Sequence, residues 1–485
     1  MLYLGLDLGT SALKALAIDE DQAVIATAEA AMAAHHPRRG WSEQDPADWI
    51  AAAEAVLDGL KANLGDRMGE VRGIGLAGQM HGATLLGADD AVLAPCILWN
   101  DARSAAQAAR LDADPEFRAI SGNIVFPGFT APKLAWLHDT DPALFGRVAK
   151  VLLPKDYLRL WLTGEHVSEM SDAAGTAWLD TGARNWSDRL LDATRMDRAQ
   201  MPRLVEGSAA SGGLRAEIAS RWGLRPGTVV AGGAGDNAAS GVGLGTVAAA
   251  EGFVSLGTSG VLFAACDAYA PRPETAVHTF CHALPGMWHQ MGVMLSAASA
   301  LAWFGGIVGE DPARLVGELG TRLLRPTPVT FLPYLSGERT PHNDPRLRAG
   351  FHGLAAGTTR AEMTRAVLEG VAYALKENLD ALGAAGTRPE ALMAVGGGAR
   401  SDLWLAMIAT VLDVPVDRPA AGAHGAALGA ARLGLMAAEG TAAQDVATRP
   451  QVARRFAPDP DLATAYRDAF DRFRRTRAAG AHHAL

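Results

Sequence analysis

The sequence has few cysteines and no long apolar run. Only three cysteines occur among 485 residues, Cys96, Cys266 and Cys281, and their scattered positions exclude a disulfide framework and favour a reducing compartment. No apolar stretch reaches the roughly 18 residues of a membrane-spanning helix. The first residues also lack the basic start of a signal peptide. We therefore expect a cytoplasmic protein that makes no membrane contact.

Basic charge is also in deficit. The chain has 44 lysines and arginines against 53 acidic residues, a net charge of −9. Because nucleic-acid-binding surfaces must neutralise phosphates, this balance excludes general nucleic-acid binding. Hydrophobic residues make up 49% of the chain and charged residues 20%, which excludes disorder as the main state.

Strand and helix patterns alternate along the chain. Residues 2–8 and 14–18 are predicted strands on either side of a short turn, so the chain is expected to open with a β-hairpin. A helix follows over residues 45–64, and a further strand over 71–76. Later segments of the same kind are a helix over 360–382 and a strand over 391–395. This alternation predicts an α/β fold.

One internal similarity predicts a duplicated fold. Residues 6–11 read LDLGTS and residues 254–259 read VSLGTS, each at the end of an apolar strand. Chance is the alternative for so short a match. We divide the chain into a first domain, a second domain and a helical C-terminal extension with a solvated tail, over residues 1–246, 247–440 and 441–485. The tail is expected to include Arg474 to Arg477 and His482–His483.

The two Gly-Thr-Ser turns are candidate phosphate sites. Glycine permits tight backbone turns whose N–H groups can bind anionic oxygens. Facing each other, the turns could hold a polyphosphate from both sides; the alternative is that each is only a hairpin turn. The expected nucleotide contacts here are Gly9, Thr10, Ser11, Lys14, Gly257 and Thr258.

Two aspartates are candidates for catalysis. Asp7 directly precedes the first turn, where a carboxylate beside phosphate indicates an intervening cation such as Mg²⁺; the alternative is a turn cap. Asp236 and Asn237 follow a glycine-rich loop, where Asp236 could accept a hydroxyl proton and Asn237 could bond a neighbouring hydroxyl. The alternative is that this pair caps a helix.

Three further groups follow predicted strands, where α/β proteins bind ligands. The glycines at 396–398 precede a helix start, which suits a nucleoside, with expected contacts at Gly397, Gly398 and Ser401. The candidate sugar-binding residues are Gln79, Met80, His81, Trp99 and Asp101. A structural role is equally open for His81.

Together these segments resemble the FGGY carbohydrate kinases of the actin-like ATPase superfamily, from about residue 3 to residue 433. The matching segments include GLDLGTS at 5–11, GQMHGATLL at 78–86, LPKDYLRL at 153–160, GDNAA at 235–239, SLGTSG at 255–260, LPYLSGERTPH at 332–342 and GGGARS at 396–401. Ala234 and His424 depart from the pattern of many relatives.

The resemblance implies two actin-like (ribonuclease H-like) ATPase domains with a catalytic cleft between them. It implies phosphorylation of D-xylulose by ATP with Mg²⁺, yielding D-xylulose 5-phosphate. By the same resemblance, Asp236 is the general base and binds substrate with Asn237, Met80 and His81 are a substrate-binding pair, and Asp7 is the metal-associated carboxylate. A homodimer is expected because dimers are the commonest assembly.

Three other functions stay open from the sequence. The first is a kinase for another ketose or polyol, such as ribulose or gluconate, which a substrate panel would reveal. The second is a chaperone-like or filament-forming actin relative, which would need no sugar site at residues 79–81. The third is a sugar sensor without turnover, against which the presence of both Asp7 and Asp236 argues.

Overall fold

Strands and helices alternate along the first half of the chain in the computed structural model, which describes residues 1–420 and 425–480. The strands of this half are β1 (Leu2–Leu8), β2 (Ala12–Asp19), β3 (Val24–Ala31), β4 (Glu43–Gln44), β5 (Val71–Gly78), β6 (Thr84–Leu86), β7 (Cys96–Ile97), β8 (Lys150–Leu152), β9 (Val167–Glu169), β10 (Leu179–Asp180), β11 (Asn185–Trp186), β12 (Arg203–Val205), β13 (Ala210–Gly213), β14 (Val229–Ala231) and β15 (Ala234–Gly235). Its helices are α1 (Pro46–Leu64), α2 (Ala105–Asp112), α3 (Pro115–Ser121), α4 (Thr130–Thr140), α5 (Pro142–Phe145), α6 (Pro154–Thr163), α7 (Met170–Ala173), α8 (Asp188–Asp192), α9 (Ala216–Trp222) and α10 (Asp236–Gly243).

The second half repeats the alternation with fewer, longer elements. Its strands are β16 (Glu251–Leu256), β17 (Gly260–Cys266), β18 (His278–Cys281), β19 (Trp288–Met294), β20 (Thr330–Leu332), β21 (Gly350–His352), β22 (Ala391–Val395), β23 (Val416–Pro419) and β24 (Val452–Phe456). Its helices are α11 (Ala298–Val308), α12 (Pro312–Glu318), α13 (Arg360–Ala384), α14 (Asp402–Leu412), α15 (Gly425–Glu439), α16 (Ala443–Val446) and α17 (Pro460–Gly480). None of the helices described is long and apolar enough to cross a membrane.

Local capping explains where the longest helices begin. The carboxylate of Asp45 accepts the backbone N–H of Ala47 at 2.9 Å, and Pro46 occupies the first turn of α1. At α13, Thr359 and Glu362 form a reciprocal capping box. Both helices therefore start where the sequence patterns predict.

Two sheets of the same design confirm the predicted duplication. The first has strand order β13-β14-β5-β1-β2-β3, with β1 and β2 forming the expected hairpin and β5 lying parallel to β1. The second has order β18-β19-β17-β16-β22-β23-β24, again with a hairpin, β16–β17, and a parallel partner, β22. The two similar Gly-Thr-Ser turns occupy the same position in each sheet.

The end of the chain packs on the second sheet. Strand β24 pairs with β23 at the sheet edge, and α17 buries Tyr466 and Phe473 in the hydrophobic core. Arg474 and Arg475 are exposed, but Arg477 lies 3.2 Å from the carboxylate of Glu377. The prediction of a solvated tail is therefore wrong for Arg477, because it faces a buried acid. His424 and His482–His483 lie outside the described residues.

Helix α15 packs on the first sheet, although in sequence it lies between two strands of the second sheet, β23 and β24. A Cβ added to Gly75 in β5 would lie 1.7 Å from the backbone oxygen of Ala430. One added to Gly429 would lie 1.8 Å from that of Ala239 in α10. Glycine is thus required for backbone-to-backbone contact on two sides of α15. The domain limits at residues 246 and 440 stay a prediction.

We expect Gly75→Ala to lower the free energy of unfolding by about 3 kcal/mol or more, because the new methyl group would force β5 away from α15. The matched control is Gly383→Ala in α13, where an added Cβ meets nothing within 4 Å. Alanine should stabilise that exposed helical position by about 0.5–1 kcal/mol. Urea unfolding would check both changes; equal midpoints for the two variants would contradict the close contact.

Candidate active site

The structure brings Asp7 and Asp236 into one cavity. Asp7 stands near the end of β1 and Asp236 is the first residue of α10. They line a space of about 550 Å³ together with Lys14, Ser240 and the first residues of α15. Lys14 lies directly opposite Asp7 in the β1–β2 pairing. With Glu29 of β3, three carboxylates and one ammonium group therefore line the same space.

The environment of Asp7 fits a bound cation. Burial and the nearby charge of Asp236 raise the pKa of Asp7 to about 7, and Lys14 opposes this shift. The Oδ1 atom of Asp7 is buried and has no hydrogen-bond partner. In the described part of the chain, no cluster of three or more His, Cys, Asp or Glu side chains could hold a metal. A single carboxylate suits Mg²⁺, which keeps several waters and is completed by substrate phosphates.

Asp236 has one oxygen occupied and one available. Its Oδ1 accepts the backbone N–H of Asn237 at 2.7 Å and the Nδ2 amide of the same residue at 3.0 Å. Burial raises the pKa of Asp236 to about 6, although the bonds from Asn237 oppose this. The N-cap of α10 is Gly235, so the alternative that Asp236 or Asn237 caps the helix is wrong. The free carboxylate oxygen can accept a proton near neutral pH.

A polar chain that sequence reasoning missed holds the loop in front of Asp236. The N–H of Gly235 donates to Oγ of Ser171 at 3.1 Å, and this hydroxyl donates to Glu169 at 3.0 Å. The guanidinium of Arg159 donates to the backbone oxygens of Ala231 and Gly232 on the same loop. The position of Asp236 is thus fixed from two sides.

Glu169 and Arg159 both belong to a buried charged cluster around Lys155. Its ammonium group lies 2.8 Å from Asp156, 3.3 Å from Glu169 and 2.8 Å from Asp172. All four side chains and Arg159 are fully buried. The sequence carried a usable signal, because charged residues interrupt the apolar pattern at 154–160. Periodicity alone could not show that they face Asp236.

His81 is held in place by contacts of both its backbone and its ring. Its backbone has φ of 70°, and its carbonyl accepts Nζ of Lys133 at 2.7 Å. Its Nδ1 lies 2.6 Å from the carbonyl oxygen of Gly175 and must therefore carry the hydrogen, which leaves Nε2 as an acceptor. The ring stacks on Phe129 with centroids 4.7 Å apart. Burial lowers the pKa of His81 to about 3, so the ring is neutral.

Met80 fills the space between His81 and the loop that carries Asp236. An added Cβ at Gly175 would lie 3.0 Å from its methyl carbon, and one at Gly235 would lie 2.9 Å from its Cγ. Met80 is 6% exposed. The structure thus joins the predicted pair, Met80 and His81, to the loop that carries Asp236.

Other predicted sugar and phosphate residues are paired within the protein. The Thr10 hydroxyl donates to Gln79 at 2.9 Å and accepts the indole N–H of Trp99 at 3.0 Å. Asp101 is 2% exposed and bonds the guanidinium of Arg103 and the backbone N–H of Ser42. These bonds fix the loops around β1 and leave the exposed face of Trp99 free for ligand contact.

Two of the predicted glycines, Gly397 and Gly398, line a second, more apolar cavity of about 700 Å³. Gly397, Gly398 and Ser401 form one wall, and residues of α11 and α12, such as Leu301 and Val316, form the other. Sequence reasoning missed the second wall, because helix packing partners cannot be read from local pattern. Ser401 also caps α14 by accepting the N–H of Trp404 at 3.2 Å.

The second Gly-Thr-Ser turn lies beside this cavity. Gly396 has φ of 89°, and a Cβ there would lie 2.8 Å from the backbone of Leu256 and 3.1 Å from that of Gly257. Carbonyl oxygens of Gly257 and Thr258 accept N–H groups at the start of α11. The structure therefore brings the predicted contacts Gly257, Thr258, Gly397, Gly398 and Ser401 together.

Comparison with known proteins identifies the class of this site. Residues 2–243 match the N-terminal domain of the FGGY family of carbohydrate kinases, and residues 252–438 match its C-terminal domain. The chain is 48% identical over 441 residues to a protein named xylulose kinase from Escherichia coli (strain K12), covering 90% of each. It is 48% identical over 452 residues to a xylulose kinase from Klebsiella pneumoniae, covering 93% of this chain and 92% of that one.

A solved structure agrees with these matches. The crystal structure of a xyloylose kinase from Brucella ovis superposes with a TM-score of 0.98 and 59% sequence identity, over 99% of both chains. The chain belongs to the FGGY family of carbohydrate kinases. The predicted two-domain, actin-like fold and the predicted enzyme class are confirmed.

We expect Lys155→Met to lower the free energy of unfolding by about 3–5 kcal/mol, because it leaves three buried carboxylates without their shared cation. Lys61→Met is the matched control, since Lys61 is exposed and makes one bond to the carbonyl of Arg221. Its effect should stay within about 0.5 kcal/mol. Urea unfolding followed by circular dichroism measures both. Equal stability of the two variants would show that the cluster does not hold the fold.

Proposed function

We propose that the chain transfers the γ-phosphoryl group of ATP to D-xylulose, giving D-xylulose 5-phosphate and ADP. The observation that carries the proposal is Asp236, whose unpaired carboxylate oxygen faces the cavity that contains Asp7. Relatives with nearly half of their residues identical bear the name xylulose kinase. We further propose that the enzyme works in the cytoplasm as a homodimer, the commonest closed assembly.

The two cavities suit the two ends of ATP. The apolar cavity at Gly397, Gly398 and Ser401 has the size and lining for a nucleoside. The phosphates would extend from there toward the cavity that contains Asp7. The residues proposed to contact them are Gly9, Thr10, Ser11, Lys14, Gly257 and Thr258. Backbone N–H groups and one ammonium group match the charge of a polyphosphate.

Asp7 is the residue proposed to hold Mg²⁺, and its unpartnered buried Oδ1 supports this assignment. When bound, Mg²⁺ neutralises charge on the β- and γ-phosphates. A cation there would also keep Asp7 ionised beside Asp236, whose negative charge otherwise raises its pKa.

Asp236 acts on the sugar hydroxyl. The free carboxylate oxygen of Asp236 accepts the proton of the C5 hydroxyl group while the sugar oxygen O5 attacks the γ-phosphorus in line. A bond forms between O5 and phosphorus, and the bond from phosphorus to the bridging oxygen of ADP breaks. Asn237 holds the other oxygen of Asp236, which aims the free one at the sugar. Positioning and charge balance supply most of the rate enhancement for such transfers.

The proposed sugar pocket lies beside this base. Neutral His81 presents Nε2 as an acceptor for a sugar hydroxyl, and Met80 supplies an apolar contact. Trp99 offers an exposed face, while Gln79 and Asp101 hold the surrounding loops. This arrangement favours a polyhydroxylated acceptor.

We expect Asp236→Asn to lower kcat for ADP formation with D-xylulose by about 100- to 10,000-fold, because the amide cannot accept the hydroxyl proton. Nucleotide affinity, measured by calorimetry, should be unchanged. The control is Asp66→Asn, which alters an exposed carboxylate that is not part of the proposed site and should retain full activity. Equal loss of nucleotide binding and turnover in Asp236→Asn would contradict the role of general base.

The pH dependence of the reaction tests the same residue in the wild-type enzyme. Because the base must be ionised and burial raises its pKa to about 6, kcat/KM for D-xylulose should fall as the pH drops below about 6. The decline should approach tenfold per pH unit, since one proton is taken up. Circular dichroism at each pH would separate this loss from unfolding. A fall in kcat/KM that begins only near pH 4, the ordinary pKa range of aspartate, would contradict the assignment.

A further inference from the structure

Arg339 presents a cation that the protein itself does not neutralise. It lies in the second domain, in the segment between β20 and β21, and its guanidinium carbon sits 4.4 Å from the ring centroid of Phe126. Within residues 1–420 and 425–480, the guanidinium forms no hydrogen bond or ion pair. Burial lowers the pKa of Arg339 to about 10, which still leaves it charged at neutral pH.

The guanidinium of Arg339 is half-buried and has no acceptor within the described residues, so its N–H groups depend on the remaining solvent for their hydrogen bonds. The backbone around it is nevertheless fixed. Buried Glu338 accepts the N–H of Arg339 at 2.8 Å and that of Leu295 at 2.9 Å. A rigid backbone that holds an unpaired cation indicates that a ligand supplies the acceptor.

His278 on β18 is a second unpaired polar group at the same place. It is 3% exposed, and its Nδ1 is buried without a hydrogen-bond partner. Its ring lies 5.1 Å from that of Phe126 and 5.9 Å from that of Phe129. His81 stacks on Phe129, one ring of the same pair. Residues of the second domain thus face the proposed sugar pocket of the first.

Arg339 reaches the pocket through a series of aromatic contacts. It lies on Phe126, whose ring centroid is 5.6 Å from that of Phe129, and Phe129 stacks on His81. The charge of Arg339 contributes to the lowered pKa of both His81 and His278. Met80 contacts the loop that carries Asp236, and His81 is the next residue in the sequence. A sugar with its reactive hydroxyl at Asp236 would direct its other end toward Arg339.

We propose that Arg339, with His278 beside it, binds the C1 hydroxyl and C2 carbonyl oxygens of the ketose and so determines specificity for that end of the substrate. This rests on the proposed function. The planar guanidinium presents parallel N–H groups that can reach two adjacent oxygens at once. Since Arg339 and Asp236 belong to different domains, a ketose that contacts both would bridge them.

The test compares D-xylulose with 1-deoxy-D-xylulose, which lacks only the C1 hydroxyl. Arg339→Met should lower kcat/KM about 100-fold with D-xylulose and about 10-fold with the deoxy sugar, since it removes two charge-assisted bonds from the first and one from the second. KM for ATP should not change. His278→Phe, which keeps the ring and removes its nitrogens, should lower kcat/KM for D-xylulose about 10-fold.

The controls separate specificity from folding and from the reaction itself. Arg348→Met alters an exposed arginine of the same segment, bonded only to nearby backbone oxygens, and should behave as wild type. Arg339→Lys keeps the positive charge but loses the planar pair of N–H donors, so its kcat/KM for D-xylulose should lie between those of the wild type and Arg339→Met. This variant keeps the test decisive if Arg339→Met misfolds. Equal losses on both sugars, or no loss, would overturn the inference. Inactivity of the wild type toward D-xylulose would instead refute the proposed function.

Discussion

Direct backbone contact around α15 is the constraint on which the site depends. Glycines in β1 and β5 let α15 lie against the first sheet, and Gly429 lets it lie equally close to α10. Asp7 ends the strand on one side of this contact, and Asp236 begins the helix on the other. Because the contacting atoms are backbone, the spacing of these carboxylates does not depend on flexible side chains. The chain connects α15 to the second sheet, so the same contact joins the two halves of the molecule.

Buried charge is the second element of the account. Burial raises the pKa of both Asp7 and Asp236, and the charge of Asp236 raises that of Asp7 further, a common arrangement where chemistry requires a base near neutral pH. The cluster around Lys155 supports the loop of Asp236 by pairing two cations, Lys155 and Arg159, with three carboxylates. The ion pairs of this cluster thus support the fold, whereas the unpaired Arg339 is proposed to contact the ligand.

Local pattern was sufficient for much of this architecture. The opening hairpin, the duplicated turn and the helix starts at Pro46 and Arg360 follow from turn, capping and periodicity signals. The resemblance of short segments pointed to Asp7, Asp236 and the Met80–His81 pair. Pattern could not place α15 on the first sheet, since a small-residue helix fits many surfaces. Nor could it show that residues far apart in sequence, such as Lys155 and Gly235, belong to one network.

The central claim is that this site phosphorylates a ketose with ATP, and a substrate panel tests it most directly. ADP release would be measured with Mg²⁺ and ATP against D-xylulose, L-xylulose, D-ribulose, L-ribulose, glycerol, gluconate and no sugar. The account predicts that kcat/KM for D-xylulose exceeds every other value, because the pocket pairs a base for its C5 hydroxyl with donors for its carbonyl end. Preference for glycerol or gluconate, or ADP release that no sugar increases, would contradict it.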